Sequence, residues 1–145
     1  PNRGFYFDFK NFLKKYDKFQ TPTTPSISHL YALDYQMDKI LNDEGLENRW
    51  QRHKDLAEYV RGWAKEHFDI FAETGYESLT VTCVKNTRGV DVKDLIAKLG
   101  ERGYAMANGY GNLKGETFRI AHMGDVSLDE MKQYLANIDE ILGFK

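Results

Sequence analysis

The chain has 145 residues, 41% hydrophobic and 29% charged, which fits one globular domain able to bury a core without disulfides or a structural metal. The 20 basic and 22 acidic side chains leave a formal net charge of −2, which argues against a nucleic-acid binder, whose affinity rests on clustered excess Lys and Arg. No run is apolar enough to span a bilayer, no signal peptide opens the sequence, and the lone Cys83 excludes an internal disulfide framework or a cysteine-based zinc cluster. A cytoplasmic protein that engages neither nucleic acid nor membrane is the expectation.

The chain opens at Pro1 without Met, and Gly4–Phe9 already reads as interior apolar sequence. A piece of a longer polypeptide is expected, with removal of an initiator Met as the competing explanation. Phe9, Phe12, Leu13 and Tyr16 follow helical spacing, and Lys10, Lys14, Lys15 and Lys18 fall mostly between them. Aromatics interleaved with lysines can stack bases in a basic groove. The near-neutral chain favours an amphipathic helix with a solvated basic face.

Gln20–Pro25 (QTPTTP) is extended or turn-like, because Pro fixes φ and pushes its predecessor out of the α region. A helix begins near Ser26 or Ser28, carries Leu30, Leu33, Met37, Ile40 and Leu41 as its stripe, and stops at Gly45. A second helix places Leu46, Trp50, His53, Ala57, Val60, Ala64 and Phe68 on one face. Gly62 inside it costs about 1 kcal/mol relative to Ala, which predicts a packing reason.

The period then becomes alternating. Leu79, Val81 and Cys83 fall on the apolar face of a strand, with Thr80 and Thr82 on the other. After the turn at Thr87–Gly89, Asp91 caps a helix with Val92, Leu95, Ile96 and Leu99 inward, ended by Gly103. Tyr104–Ala107 reads as a short strand, Gly109–Gly115 as a flexible loop, and Phe118–Met123 as a strand. Ser127–Glu130 (SLDE) is a capping box opening a last helix with Met131, Leu135, Ile138 and Leu142 inward. The tail is β-α-β-β-α, preceded by helices, with no internal repeat.

Little here has the pattern of self-contained chemistry. His29, His53, His67 and His122 have no metal-ligand spacing, so no metal site is expected. Cys83 reads as a buried structural thiol, since a reactive one needs exposure and an electropositive setting. The Gly109–Gly115 loop leads into a strand and not a helix, unlike a dinucleotide fingerprint, and suits a mobile lining of a pocket instead. Arg119 is the informative residue. It interrupts an otherwise interior strand, where a desolvated guanidinium needs an anionic partner. That partner is either an internal carboxylate or the carboxylate of a substrate held in bidentate fashion.

Thr21–Leu33 (TPTTPSISHLYAL), Glu44–His53 (EGLENRWQRH), Leu79–Val84 (LTVTCV) and Gly115–Gly124 (GETFRIAHMG) occur in that order. Together they resemble the C-terminal part of the class V aminotransferases, the alanine–glyoxylate and serine–pyruvate group, over essentially the whole chain. Some relatives carry the label of a soluble hydrogenase subunit. The resemblance implies the small C-terminal domain of a fold type I, pyridoxal 5'-phosphate-dependent enzyme: an α+β fold with a short, mostly antiparallel sheet covered by helices. It implies residues 1–25 as an interdomain segment with a short amphipathic helix and the Thr/Pro loop, and 26–145 as the small domain.

By the same resemblance Arg119 binds the substrate α-carboxylate, and Thr23 reaches the cofactor phosphate across a homodimer. Relatives often carry an aromatic residue three positions before that threonine, where this chain has Gln20. The loop at Asn108–Gly111 borders the entrance to the site. The family's Schiff-base lysine lies upstream, so no catalytic residue is expected here. A fragment alone is expected to be inactive and to bind no cofactor. Its partners are its own large N-terminal domain, a second subunit, and small amino acid and 2-oxo acid substrates. The alternative, a free-standing ferredoxin-like small-molecule-binding or regulatory domain, accounts for the tail but not for Thr21–Pro25 or Arg119.

Overall fold

The computed structural model describes residues 4–144, so Pro1, where the chain opens, lies outside the described residues. The chain divides after Glu44 into two compact units. In the first, Asp8 accepts a hydrogen bond from the Lys10 amide (3.1 Å) and starts α1, Phe9–Tyr16. Helix α2, Ile27–Asp38, begins after Ser26, whose hydroxyl lies 2.6 Å from His29 Nδ1. The expected continuation to Gly45 is present but π-wound over Lys39–Glu44. None of these helical segments has a buried residue: Leu30, Leu33 and Leu41 are all more than half exposed. An apolar stripe exists here without a core beneath it in this unit.

The second unit contains α3 (Leu46–His67), β1 (Asp69–Ile70), β2 (Val81–Lys85), α4 (Val92–Glu101), β3 (Ala107–Asn108), β4 (Thr117–Ala121) and α5 (Leu128–Leu142). Its sheet has the order β1-β2-β4-β3 with every neighbouring pair antiparallel. Strands β2 and β3 are therefore parallel to each other with β4 between them, a split β-α-β unit around α4. The expected α+β architecture stands. Strand β1 has no signature in the sequence, because two residues are too few to show alternation.

One face of the sheet is covered. Val84, Phe118 and Ile120 meet Leu56, Val60 and Ala64 of α3, Val92, Leu95 and Leu99 of α4, and Met131, Leu135 and Ile138 of α5 in one buried cluster. Full burial of Phe118 contributes roughly 1.5–3 kcal/mol, and the Phe68 ring meets it edge-on at 5.2 Å. Trp63 Nε1 donates to Asp139 Oδ1 (2.7 Å) and ties α3 to α5. Asp91 accepts from the Lys93 and Asp94 amides, and Ser127 and Glu130 form the expected capping box.

Three expectations are corrected. In β2 the buried residues are Thr82 and Val84, while Val81 and Cys83 are half-buried and Leu79 is exposed, so the inward face is the one opposite to that expected. Pairing decides this: Thr82 faces Ile120 and Val84 faces Phe118, and a one-residue slip would turn every side chain over. Thr82 is tolerated inside because its hydroxyl is hydrogen-bonded to His122 Nε2 at 2.9 Å. In α3 the buried residues are Leu56, Ala57, Val60, Trp63 and Ala64, whereas Trp50 is 57% exposed. Gly62 has no packing reason: a Cβ there would meet nothing within 4 Å. Among the described residues no helix is long and apolar enough to cross a membrane.

Candidate carboxylate-binding site

Alternation along β4 sends Phe118 and Ile120 into the helical core and Arg119 to the opposite face of the sheet. Its cross-strand neighbours there are Cys83 on β2 and Ala107 on β3. Both are small, and both lie within about 5 Å at Cβ in such a ladder, so the long side chain has room to extend. Arg119 is half-buried, yet no carboxylate pairs with it among the described residues. Its Nε donates to the Asn108 carbonyl (3.1 Å), and its guanidinium carbon lies 4.0 Å from the centre of the Tyr110 ring. The internal salt bridge that the sequence leaves open is absent from the described residues. A half-buried cation without a counter-charge has the capacity to receive an anion supplied from outside.

The loop that makes both contacts, expected to be flexible, is cross-braced by hydrogen bonds. Asn108 Oδ1 accepts from the Gly109 amide (2.8 Å) and the Gly115 amide (2.9 Å), closing the loop at both ends. A 3-10 turn at Gly111–Leu113 fills it. Gly109 is required by close approach: a Cβ there would fall 2.1 Å from the Leu113 carbonyl oxygen and 2.5 Å from Thr117 Oγ1.

The other motifs of this unit gather around the same strand. Arg52 donates to the Val126 (2.8 Å) and Gly124 (3.0 Å) carbonyls, and Arg49 pairs with Asp125 at 3.0 Å, so α3 holds the turn that follows β4. His122 is fully buried against Thr82, and burial holds its imidazole below the ordinary value. In the first unit Thr23 is exposed in the Thr21–Pro25 segment, where its carbonyl accepts from the Thr21 hydroxyl (2.6 Å). Its own hydroxyl has no partner among the described residues. Among the described residues no group of three or more His, Cys, Asp or Glu side chains could hold a metal. Sequence reasoning singles out Arg119 and the Asn108–Gly111 loop but misses the contacts of Asn108 and Tyr110. The available signal is an aromatic residue between two glycines, a few positions before the strand that carries the arginine.

No family model matches the chain. It is 36% identical to an uncharacterized aminotransferase of Methanocaldococcus jannaschii over 98% of its length, and 33% identical to a serine–glyoxylate aminotransferase of Arabidopsis thaliana over 94%. It spans 38% and 35% of those two proteins. An alanine–glyoxylate aminotransferase from Nostoc sp. superimposes with a TM-score of 0.80 at 30% identity, over 96% of this chain and 38% of that one. The chain belongs to the class V aminotransferases. It corresponds to their small C-terminal part, and the relatives give no support to a free-standing ferredoxin-like binding module.

Proposed function

We propose that the full-length protein is a pyridoxal 5'-phosphate-dependent aminotransferase that moves an amino group between a small amino acid and a 2-oxo acid. This chain supplies its substrate recognition and part of a homodimer interface. The observation that carries the reading is the half-buried Arg119, oriented by two contacts and lacking any carboxylate partner among the described residues. A substrate α-carboxylate suits that guanidinium as a planar bidentate acceptor. Relatives named for serine–glyoxylate and alanine–glyoxylate transamination point to substrates of this size.

Thr23 donates to the cofactor phosphate in this reading, and residues 1–25 act as an interdomain segment beside a small domain of residues 26–145. When bound, the cofactor supplies an electron sink for charge developing at the substrate α-carbon. The lysine that carries the cofactor and the rest of its site belong to the large domain. Arg119 fixes the substrate so that its α-carbon is presented in one orientation, which is a positioning contribution to the rate. The exposed apolar residues of the first unit, such as Phe9, Tyr16 and Leu33, are covered by the large domain or the second subunit. A cytoplasmic enzyme goes with this reading, in which Cys83 remains a free thiol.

The test is made in the full-length enzyme with L-serine or L-alanine as donor and glyoxylate as acceptor. Arg119→Ala is expected to raise the amino-acid KM roughly 10²-fold while the absorbance of bound cofactor stays intact. Thr23→Val is expected to do the converse, losing cofactor on dialysis. An unchanged KM in Arg119→Ala removes Arg119 from the site, and full cofactor retention in Thr23→Val removes Thr23.

A further inference from the structure

Arg119 poses a question that its role as an anchor does not answer: what holds a long, flexible cation in one orientation when no carboxylate among the described residues pairs with it? Its contacts come from a single short stretch. Asn108 contributes a backbone carbonyl to Nε at 3.1 Å, and Tyr110 contributes its ring at 4.0 Å from the guanidinium carbon. Between them stands Gly109, whose backbone packs so closely on Leu113 and Thr117 that no side chain fits. The Asn108 side chain then fastens both ends of the loop through the Gly109 and Gly115 amides. Carbonyl and ring are thus carried on one loop whose backbone is hydrogen-bonded at both ends.

We propose that Tyr110 is a positioning residue which, together with the Asn108 carbonyl, leaves Arg119 one way to receive a carboxylate. A guanidinium binds a carboxylate with two parallel hydrogen bonds either through its two terminal nitrogens or through Nε and one terminal nitrogen. Nε is already engaged by Asn108, so the second mode is closed. The Tyr110 ring covers one face of the plane and resists tilting. What remains is in-plane approach to the two terminal nitrogens. Tyr110 itself is 73% exposed, so it adds little to the core, and its substitution should act on the arginine more than on folding. This inference rests on the reading of Arg119 as the carboxylate anchor.

The test uses the full-length enzyme, with L-serine as the reacting donor and acetate as a carboxylate that cannot react. For each variant the KM of serine, the inhibition constant of acetate, kcat and the unfolding midpoint are measured. Tyr110→Leu removes the π face and is expected to raise both KM and the acetate inhibition constant about three- to thirtyfold, with kcat within about twofold. Tyr110→Phe keeps the face and is expected to match the wild type in both constants. Unfolding midpoints within about 2 °C of wild type exclude a folding effect. If Arg119→Lys weakens both constants but Tyr110→Leu leaves them unchanged, the anchor stands and the positioning role of Tyr110 is overturned. Equal damage from Tyr110→Phe and Tyr110→Leu overturns it as well, because the hydroxyl and not the ring then matters. If Arg119→Lys changes neither constant, the anchor reading fails and this inference fails with it.

Discussion

Cys83 stands directly across the β2–β4 ladder from Arg119, so thiol and guanidinium project from the same face of the sheet, away from the helical core. The small side chains of Cys83 on β2 and Ala107 on β3 flank the arginine, which reaches Asn108 and Tyr110 on the β3 side. Cys83→Ala is therefore expected to leave substrate binding unchanged. Cys83→Phe fills the space beside the guanidinium and is expected to raise the amino-acid KM about tenfold in the full-length enzyme. Steady-state kinetics of the two variants side by side check this, and equal KM values would count against a shared face.

Gly109 should be intolerant of even a methyl group. An alanine Cβ would overlap the Leu113 carbonyl oxygen at 2.1 Å, which is backbone and cannot rotate away. The loop must shift, and Asn108 and Tyr110 shift with it. Gly109→Ala is expected to destabilise the fold by about 1–3 kcal/mol and to raise KM in the same variant. Gly62→Ala serves as the contrasting control, because a Cβ there meets open space and a helix interior favours Ala by about 1 kcal/mol. Urea unfolding of both variants separates the two cases.

His122 should make stability depend on pH. Burial is the largest influence on its imidazole and lowers its proton affinity, and the Arg61 and His53 charges act in the same direction. The unfolded chain takes up the proton near 6.5, and the folded chain only at lower pH. The unfolded state thus binds more protons in the interval between, so stability is complete above about 6.5 and is lost as pH falls through the folded value. Unfolding in urea from pH 8 down to pH 5 is expected to show this decline. His122→Gln, which keeps a polar partner for Thr82, should flatten it.

The elements that local chemistry defines are legible in the amino-acid sequence. Asp91 and Ser127 mark helix starts, the SLDE pattern forms the capping box it implies, and the stripes of α4 and α5 go inward as spaced. Arg119 stands out because a cation in an apolar strand needs an explanation. The N-terminal half of α3 misleads, because Trp50 follows the helical period and is nevertheless exposed, burial beginning only at Leu56.

By itself the sequence determined most helix starts and stops and the β-α-β-β-α order of the tail, and it singled out Arg119, since caps, periodicity and charge in an apolar run act over a few neighbours. Tertiary structure alone decided which face of β2 is buried, because register is set by pairing with β4 and has no local signature. It also decided that Arg119 has no carboxylate within reach among the described residues, and that Asn108 and Tyr110 hold it. Those relations join residues through the folding of a loop back onto a strand, where hydrogen-bond distance replaces sequence distance.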